Sequence, residues 1–200
     1  NEVLVLPSQV LRAQVVAIEP IADRVLRLRM CPAKALHFAP GQHFELGLSS
    51  NLARMYSAAS LPNDPELSFH IQGHRDGRAS HHLTHILKKG DTIRLRGPYG
   101  TAYLRERHPT PTLFVSSGTG LGVTLAQLRS LAVSGASHAV HVYAGFSMSE
   151  DAYGHEELER VAKNLKSLRR CEYVLGGGAR RRGDRHGLLT DILAADLPDL

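Results

Sequence analysis

Hydrophobic periodicity changes once along the chain, and that change constrains the fold more than any other feature. Between residues 24 and 95 apolar side chains recur at every second position. Leu26, Leu28 and Met30 alternate with Arg27 and Arg29; Phe44, Leu46 and Leu48 form a second series; Leu67, Phe69 and Ile71 alternate with Ser68, His70 and Gln72; Ile93 and Leu95 alternate with arginines. A strand with that pattern has one dry face and one wet face. Turn signals at Pro40 and Gly41, Pro62 to Pro65, Lys89 to Asp91, and Gly97 and Pro98 separate the runs. One short helix is expected near Ser80 to Lys88. Many short half-buried strands imply an antiparallel Greek-key β-barrel, closed or nearly closed.

From residue 112 onward short apolar runs alternate with helical spacing. Residues 112–116 lead into glycines and then Leu121, Leu125, Leu128 and Leu131. Residues 139–144 precede a helix from about His155, with Leu158, Val161, Leu165 and Leu168 on one face, and residues 171–175 precede a helix over 188–197. Strand and helix in alternation predict a parallel sheet. The two prolines at 109 and 111 favour an extended linker. The expected division is therefore a β-barrel over residues 1–108 and an α/β nucleotide-binding domain over 109–200.

A chain of 200 residues can bury a core either as one large domain or as two of roughly 100 residues each. No apolar run approaches a membrane span, and the first residues lack a basic n-region and a cleavage site, so a cytoplasmic protein without membrane contact is expected. Cys31 and Cys171 form no CxxC pair, which excludes both a disulfide framework and a resident iron–sulfur cluster. The formal charge of +5 favours anionic partners such as nucleotides and acidic proteins. Its basic residues are dispersed and no nucleic-acid motif appears, so DNA and RNA are not expected partners.

Arg54, Met55, Tyr56 and Ser57 carry the most specific chemistry. In an extended segment Arg54 and Tyr56 point the same way. A guanidinium can hold a pyrophosphate bidentately, a phenol ring can stack on a flat heterocycle, and the adjacent Ser57 hydroxyl can hydrogen-bond a ring edge. The same residues also describe an ordinary barrel strand with a surface Arg and a core Tyr. Gly77, Arg78, Ala79 and Ser80 should open the barrel's helix, where unpaired backbone N–H groups attract a pyrophosphate and Ser80 is a candidate N-cap. Ser117 to Gly122 follows the first parallel strand and starts a helix, the place where open α/β sheets bind nucleotides. Its glycines are spaced GxGxG rather than GxGxxG.

The order RxYS, then Gly77 to Ser80, then Gly97 to Gly100 as GPxG, then Ser117 to Gly122, resembles the ferredoxin–NADP reductase superfamily. The closest likeness is to reductase components of bacterial oxygenases. That resemblance implies FAD as cofactor and NADH or NADPH as electron donor. It implies that Tyr56 and Ser57 act at the flavin ring, and that Arg54, Met55, the strand residues His70, Ile71 and Gln72, and Gly77 to Ser80 bind the cofactor. It places Gly118, Thr119, Gly120 and Leu121 beside the nicotinamide. The chain departs from the pattern at Gly122 and Val123, where Ala-Pro is usual, and at Gln72, often a cation in the family; Arg75 or Arg78 is the expected replacement.

Ser147 and Ser149 follow the second parallel strand and could contact an adenosine ribose, although Ser149 or Asp151 could equally cap the next helix. Arg180 to Arg182 could recognise the extra phosphate of NADPH or simply lie in a solvated turn. The family generally places that arginine nearer Gly176 or Gly177, which favours NADH. His81, His82 and His85 suggest a metal, but no carboxylate or cysteine stands near and no metal site is expected. A serine hydrolase is excluded because the glycine turn carries Thr119 instead of a GxSxG nucleophile.

The resemblance also implies a further strand with a CGPxxM-type motif, absent before Leu200, so the second domain is expected to be incomplete at its C-terminus. The expected function is a flavoprotein reductase that takes hydride from a nicotinamide and passes electrons to an iron–sulfur or haem partner, such as an oxygenase component. The alternatives are a reductase that releases reduced flavin, and a flavin-binding subunit without nicotinamide activity.

Overall fold

The computed structural model describes residues 6–74, 76–105, 109–179 and 183–198. The chain divides into two compact units, Asn1–Arg105 and Glu106–Leu200.

The first unit is built on β1 (Gln9–Ala22), β2 (Val25–Pro32), β3 (His43–Ser49), β4 (Leu52–Ser57), β5 (Leu67–Gln72) and β6 (Thr92–Tyr99). They form one antiparallel sheet in the order β4-β3-β6-β1-β2-β5. The alternating residues read from the sequence line its inner face: Leu28, Met30, Phe44, Leu46, Phe69, Ile71 and Leu95 are each no more than 1% exposed. Burying each such side chain contributes roughly 1.5–3 kcal/mol. The longest strand, β1, is the one that period-2 counting does not find. Its pairing with β2 shifts register between Val15 and Ala17 and again between Pro20 and Ala22, and each bulge reverses which face the next residue meets.

The sheet is rolled but not closed by hydrogen bonds. β4 and β5 are its two end strands, in contact with each other yet not paired. The chain bridges them just beyond β4, where the Ala59 N–H donates to the Ser68 carbonyl (2.8 Å) and the Ser68 N–H donates to Ser60 Oγ (3.0 Å). The short helix α1 (Arg78–His81) contacts β4 and continues as a π turn over His82–Ile86. It therefore starts two residues earlier than the sequence suggests, because Ser80 lies inside its first turn.

The second unit contains β7 (Thr112–Ser117), α2 (Gly120–Ser134), β8 (Val140–Phe146), α3 (His155–Asn164), β9 (Leu168–Leu175), β10 (Arg185–His186) and α4 (Leu189–Asp196). Its sheet is parallel, in the order β10-β9-β8-β7. β8, with neighbours on both sides, is buried at six of its seven positions and so reads as a continuous apolar run rather than an alternating one. On α2, Leu121, Leu128 and Leu131 are fully buried and Leu125 nearly so. α3 ends at Asn164, and Leu168 begins β9 instead of extending the helix. The Leu165 and Leu168 spacing that suits a helix is produced by a turn in which the Leu168 N–H donates to the Leu165 carbonyl (3.0 Å). At the far end of α4 the Asp196 carboxylate accepts hydrogen bonds from Tyr143 on β8 (3.0 Å) and from Arg185 on β10, and pairs with Arg170 on β9. Those cations, Arg185 first, hold its carboxyl below the usual range.

Candidate cofactor-binding site

The unpaired edges of β4 and β5 create the first unit's candidate site. An edge strand leaves alternate backbone N–H and C=O groups without a partner, so a seam between two such edges offers a row of donors and acceptors. Into this seam the fold brings the C-terminal half of β4, the end of β5 and the start of α1. Arg54 and Tyr56 stand opposite the core residues Leu46 and Phe44 of β3, so both lie on the inner face, at its open margin. Tyr56 is half-buried against the core. That burial pushes its phenol pKa up, against a smaller opposing effect of Arg54. Arg54 is exposed, and its Nη1 donates to the carbonyl of the neighbouring Ala53 (2.8 Å).

Other residues fall differently. Met55 points to the opposite face and is 53% exposed, so its side chain is turned away from a ligand lying along Arg54 and Tyr56. Ser57 is exposed at the end of β4, opposite His43. Its alternation with Tyr56 turns its side chain to the other face of the strand. On β5, Ile71 is a core residue, leaving only its backbone for the seam, while His70 and Gln72 are partly exposed. Burial, with Arg27 opposite, pushes the His70 imidazole down to about 4, so it is neutral at pH 7.

The α1 turn has its own internal logic. Gly77 is the N-cap, not Ser80, and no side chain caps the helix. Ser80 is buried and accepts from the His74 N–H (3.1 Å), with its own hydroxyl within 2.9 Å of the His74 and Gly77 carbonyls. It thus ties the loop down and leaves the first-turn N–H groups clear of a side-chain cap. A Cβ on Gly77 would lie 2.5 Å from Ser80 Oγ, so a larger residue there would displace that hydroxyl from its bonds. Arg78 is exposed at this turn; Arg75 lies outside the described residues. His81 and His85 have ring centroids 4.9 Å apart, and no group of three or more metal-ligating side chains occurs among the described residues.

Gln42 supports the site and carries no motif that would reveal it. It is 3% exposed; its Oε1 accepts from the Ala39 N–H (2.8 Å), its Nε2 donates to the Gly100 carbonyl (3.1 Å), and its carbonyl accepts from Ala58 (3.1 Å). One side chain and its backbone therefore join the end of the RxYS strand to the GPxG turn. In that turn Gly97 packs on Phe44, since a Cβ would lie 2.5 Å from its ring.

In the second unit the loops after β7, β8 and β9 lie at the carboxyl ends of parallel strands, where such sheets bind nucleotides. Gly118 turns the chain with φ of 53° and donates to the Gly145 carbonyl (2.9 Å). Thr119 is the N-cap of α2 without a side-chain cap bond, and Gly120 begins the helix. Leu121 is fully buried, so it offers a ligand only its backbone. Ser149 caps no α-helix, because Gly154 precedes α3. Its Oγ accepts from the Ala179 N–H (2.8 Å) and its N–H donates to the Gly177 carbonyl (3.0 Å). The glycine run is therefore fastened to the β8 loop; Arg180 to Arg182 lie outside the described residues. Sequence reading also missed His155, which stacks on Tyr173 at 3.7 Å and sits 3.5 Å from Asp184, residues joined only by the fold.

An open seam, an exposed guanidinium beside it, a half-buried phenol ring and an uncapped helix start fit a flavin dinucleotide. Comparison with known proteins agrees. Residues 13–103 match the family described as the oxidoreductase FAD-binding domain. Over all 200 residues the chain is 36% identical to the ferredoxin–NAD(P)(+) reductase component of naphthalene 1,2-dioxygenase/salicylate 5-hydroxylase systems from Ralstonia sp. It is also 36% identical over 200 residues to the corresponding naphthalene 1,2-dioxygenase component from Pseudomonas putida. It spans 61% of the length of each of these two relatives. The crystal structure of the Amycolatopsis cytochrome P450 reductase GcoB superimposes with a TM-score of 0.88 at 28% identity, covering 96% of this chain and 59% of that one. The chain thus resembles FAD-binding oxidoreductases, and its relatives and structural neighbours are ferredoxin–NADP reductase-like proteins, reductase components of oxygenase systems among them.

Proposed function

We propose that this chain is the flavin- and nicotinamide-binding part of a reductase that takes a hydride from NADH and delivers electrons one at a time to an iron–sulfur or haem partner of an oxygenase system. The observation that carries this reading is the exposed Arg54 guanidinium beside the unpaired β4–β5 seam. Its relatives, named as reductase components that act with ferredoxin and NAD(P), support the same direction.

Arg54 and the N–H groups of Arg78, Ala79 and Ser80 hold the pyrophosphate, while Tyr56 presents its ring to the isoalloxazine and keeps water off that face. Ser57 offers a hydroxyl to the ring edge at the strand end. His70, neutral at pH 7, adds no charge to the seam. The turn from Gly118 to Leu121 approaches the nicotinamide with backbone groups, and Thr119 positions it. Bound FAD supplies the chemistry, accepting two electrons as hydride and releasing them singly. Among the described residues no helix is long and apolar enough to cross a membrane. Two free cysteines fit a reducing compartment such as the cytoplasm.

The test is extraction of flavin from the purified protein, followed by NADH oxidation with and without added free flavin. FAD in the extract and a rate that ignores added flavin are expected. FMN alone, or no flavin uptake on reconstitution, would reject the reading.

A further inference from the structure

The helical segment after the Gly77 turn carries two exposed histidines that the cofactor reading does not use. α1 runs directly into the π turn His82–Ile86, and the two make one short helical segment. Ala79, Leu83 and Leu87 pack it on the core of the first unit, and Ser80 is buried as well. His81 and His85 are exposed and lie one turn apart, with ring centroids separated by 4.9 Å and ring planes inclined at 55°. His82 is half-buried, about 100° round the helix from His81.

That separation matches the bite of a chelate. A zinc–nitrogen bond is about 2.0–2.1 Å long and an imidazole centre lies about 1.2 Å behind its nitrogen, so each centroid stands about 3.2 Å from a shared ion. Two such rings lie about 4.5 Å apart at a right-angled bond and about 5.2 Å apart at a tetrahedral one. The observed 4.9 Å falls between these limits. Rings in simple contact can reach the same distance, but here both are exposed and the contact does the core little service. Protonation of both would set like charges one turn apart, which destabilises a helix. The backbone between them also widens: the His81 N–H donates to the carbonyl of Gly77 four residues back (2.8 Å), and the Leu87 N–H to that of His82 five residues back (2.8 Å). Such π turns are frequent at functional sites.

A closed structural site takes four protein ligands, and no group of even three forms among the described residues. An open chelate needs only two, with water completing the shell. We propose that His81 and His85 form a two-histidine site for a borderline divalent cation of the first transition row, such as zinc, cobalt or nickel. Imidazole nitrogens suit those ions, whereas magnesium and calcium take oxygen ligands. The bound ion joins the last residue of α1 to the π turn. It thereby staples a segment whose N-terminus no side chain caps and whose length is marginal for a helix. The site is independent of the flavin reading, since neither histidine takes part in it.

The experiment is calorimetric titration of the whole chain with nickel(II), with cobalt(II) and magnesium in parallel. Nickel should bind more tightly than cobalt, and magnesium should not bind. His81→Ala and His85→Ala should each raise the nickel Kd about 100-fold, because one ring alone loses the gain of two linked contacts. Gln at the same positions, with the fold checked by circular dichroism, should do the same and separates loss of a ligand from loss of the helix. His37→Ala, at another exposed histidine, should leave Kd within about threefold, as expected for a group outside the chelate. With nickel at ten times its Kd, amide exchange over residues 78–87 should slow about tenfold in wild type and stay unchanged in the Ala variants. No nickel binding by wild type, a Kd indifferent to both substitutions, an equal loss in His37→Ala, or exchange over 78–87 that nickel leaves unchanged would each overturn the proposal.

Discussion

The two units hold their motif residues in opposite ways. In the first unit Arg54 and Ser57 are exposed, and the bond Arg54 makes is to the carbonyl next to it in sequence. In the second, Gly118 sets a left-handed turn, Leu121 fills the core, and Ser149 fastens the glycine run of the β9 loop. A side chain that the fold does not need is free for a ligand, whereas one that builds the loop can serve a ligand only through the backbone it positions. Substitution of Arg54 or Ser57 should therefore separate binding from stability, and substitution of Gly118, Leu121 or Ser149 should not. Ser80 is the exception within the first unit, since its hydroxyl anchors the loop over residues 74–77.

Acid gives the largest expected effect, and it acts through the first unit. The His70 pKa falls to about 4 in the folded protein, against about 6.5 in an unfolded chain. Above pH 6.5 neither state binds the proton and stability is unaffected. Between 6.5 and 4 the unfolded state takes up a proton that the folded state refuses, so stability falls as pH falls. By pH 4 the loss reaches about 2–3 kcal/mol. Urea unfolding of wild type and His70→Gln at pH 7 and pH 4 measures it, because the substitution removes this proton and no other. A gap between the two proteins that does not change with pH would place His70 in solvent.

Arg54→Ala comes next and tests the first unit's side of the contrast. Loss of a charge-assisted contact to the pyrophosphate should weaken FAD by about 1.5–3 kcal/mol, or roughly 10- to 150-fold. Apoprotein stability should move by less than about 0.5 kcal/mol, the usual range for an exposed site. Fluorescence titration of apoprotein with FAD, paired with urea unfolding, reads both. Unchanged FAD affinity would remove Arg54 from the site.

The same contrast explains what could be read from the sequence. Strands β2, β3, β5 and β6 were legible because alternation survives along their central residues, the register shifts of β3 and β6 falling at strand ends, and β1 was not because its register shifts twice within the strand. The common face of Arg54 and Tyr56 was legible because a spacing of two along a strand fixes it. Gln42 was not, since its importance comes from bonding to Ala39, Ala58 and Gly100, which only the fold assembles. Ser80 was visible as a hydroxyl near a helix start, yet its bonds to His74 depend on a loop whose path the sequence leaves open.

Glycines in the second unit give the smallest expected effect and the finest test. Gly118 and Gly120 flank Thr119 in one turn but answer to different demands. Gly118 has φ of 53°, a left-handed conformation that costs an L-residue about 1–2 kcal/mol, so Gly118→Ala should destabilise by that amount. Gly120 has no positive φ, and a Cβ built on it would lie 3.5 Å from the Ser116 Cβ, an ordinary contact. Gly120→Ala should therefore change stability by no more than about 0.5 kcal/mol, because the better helix propensity of Ala offsets any crowding. If the turn approaches a nicotinamide with its backbone, that added methyl will still weaken NADH binding, and the measured effect will be a raised KM without a change in unfolding. Equal effects of the two substitutions on stability would mean that the turn's conformation is set by something other than Gly118. An unchanged KM in Gly120→Ala would place the nicotinamide away from the start of α2.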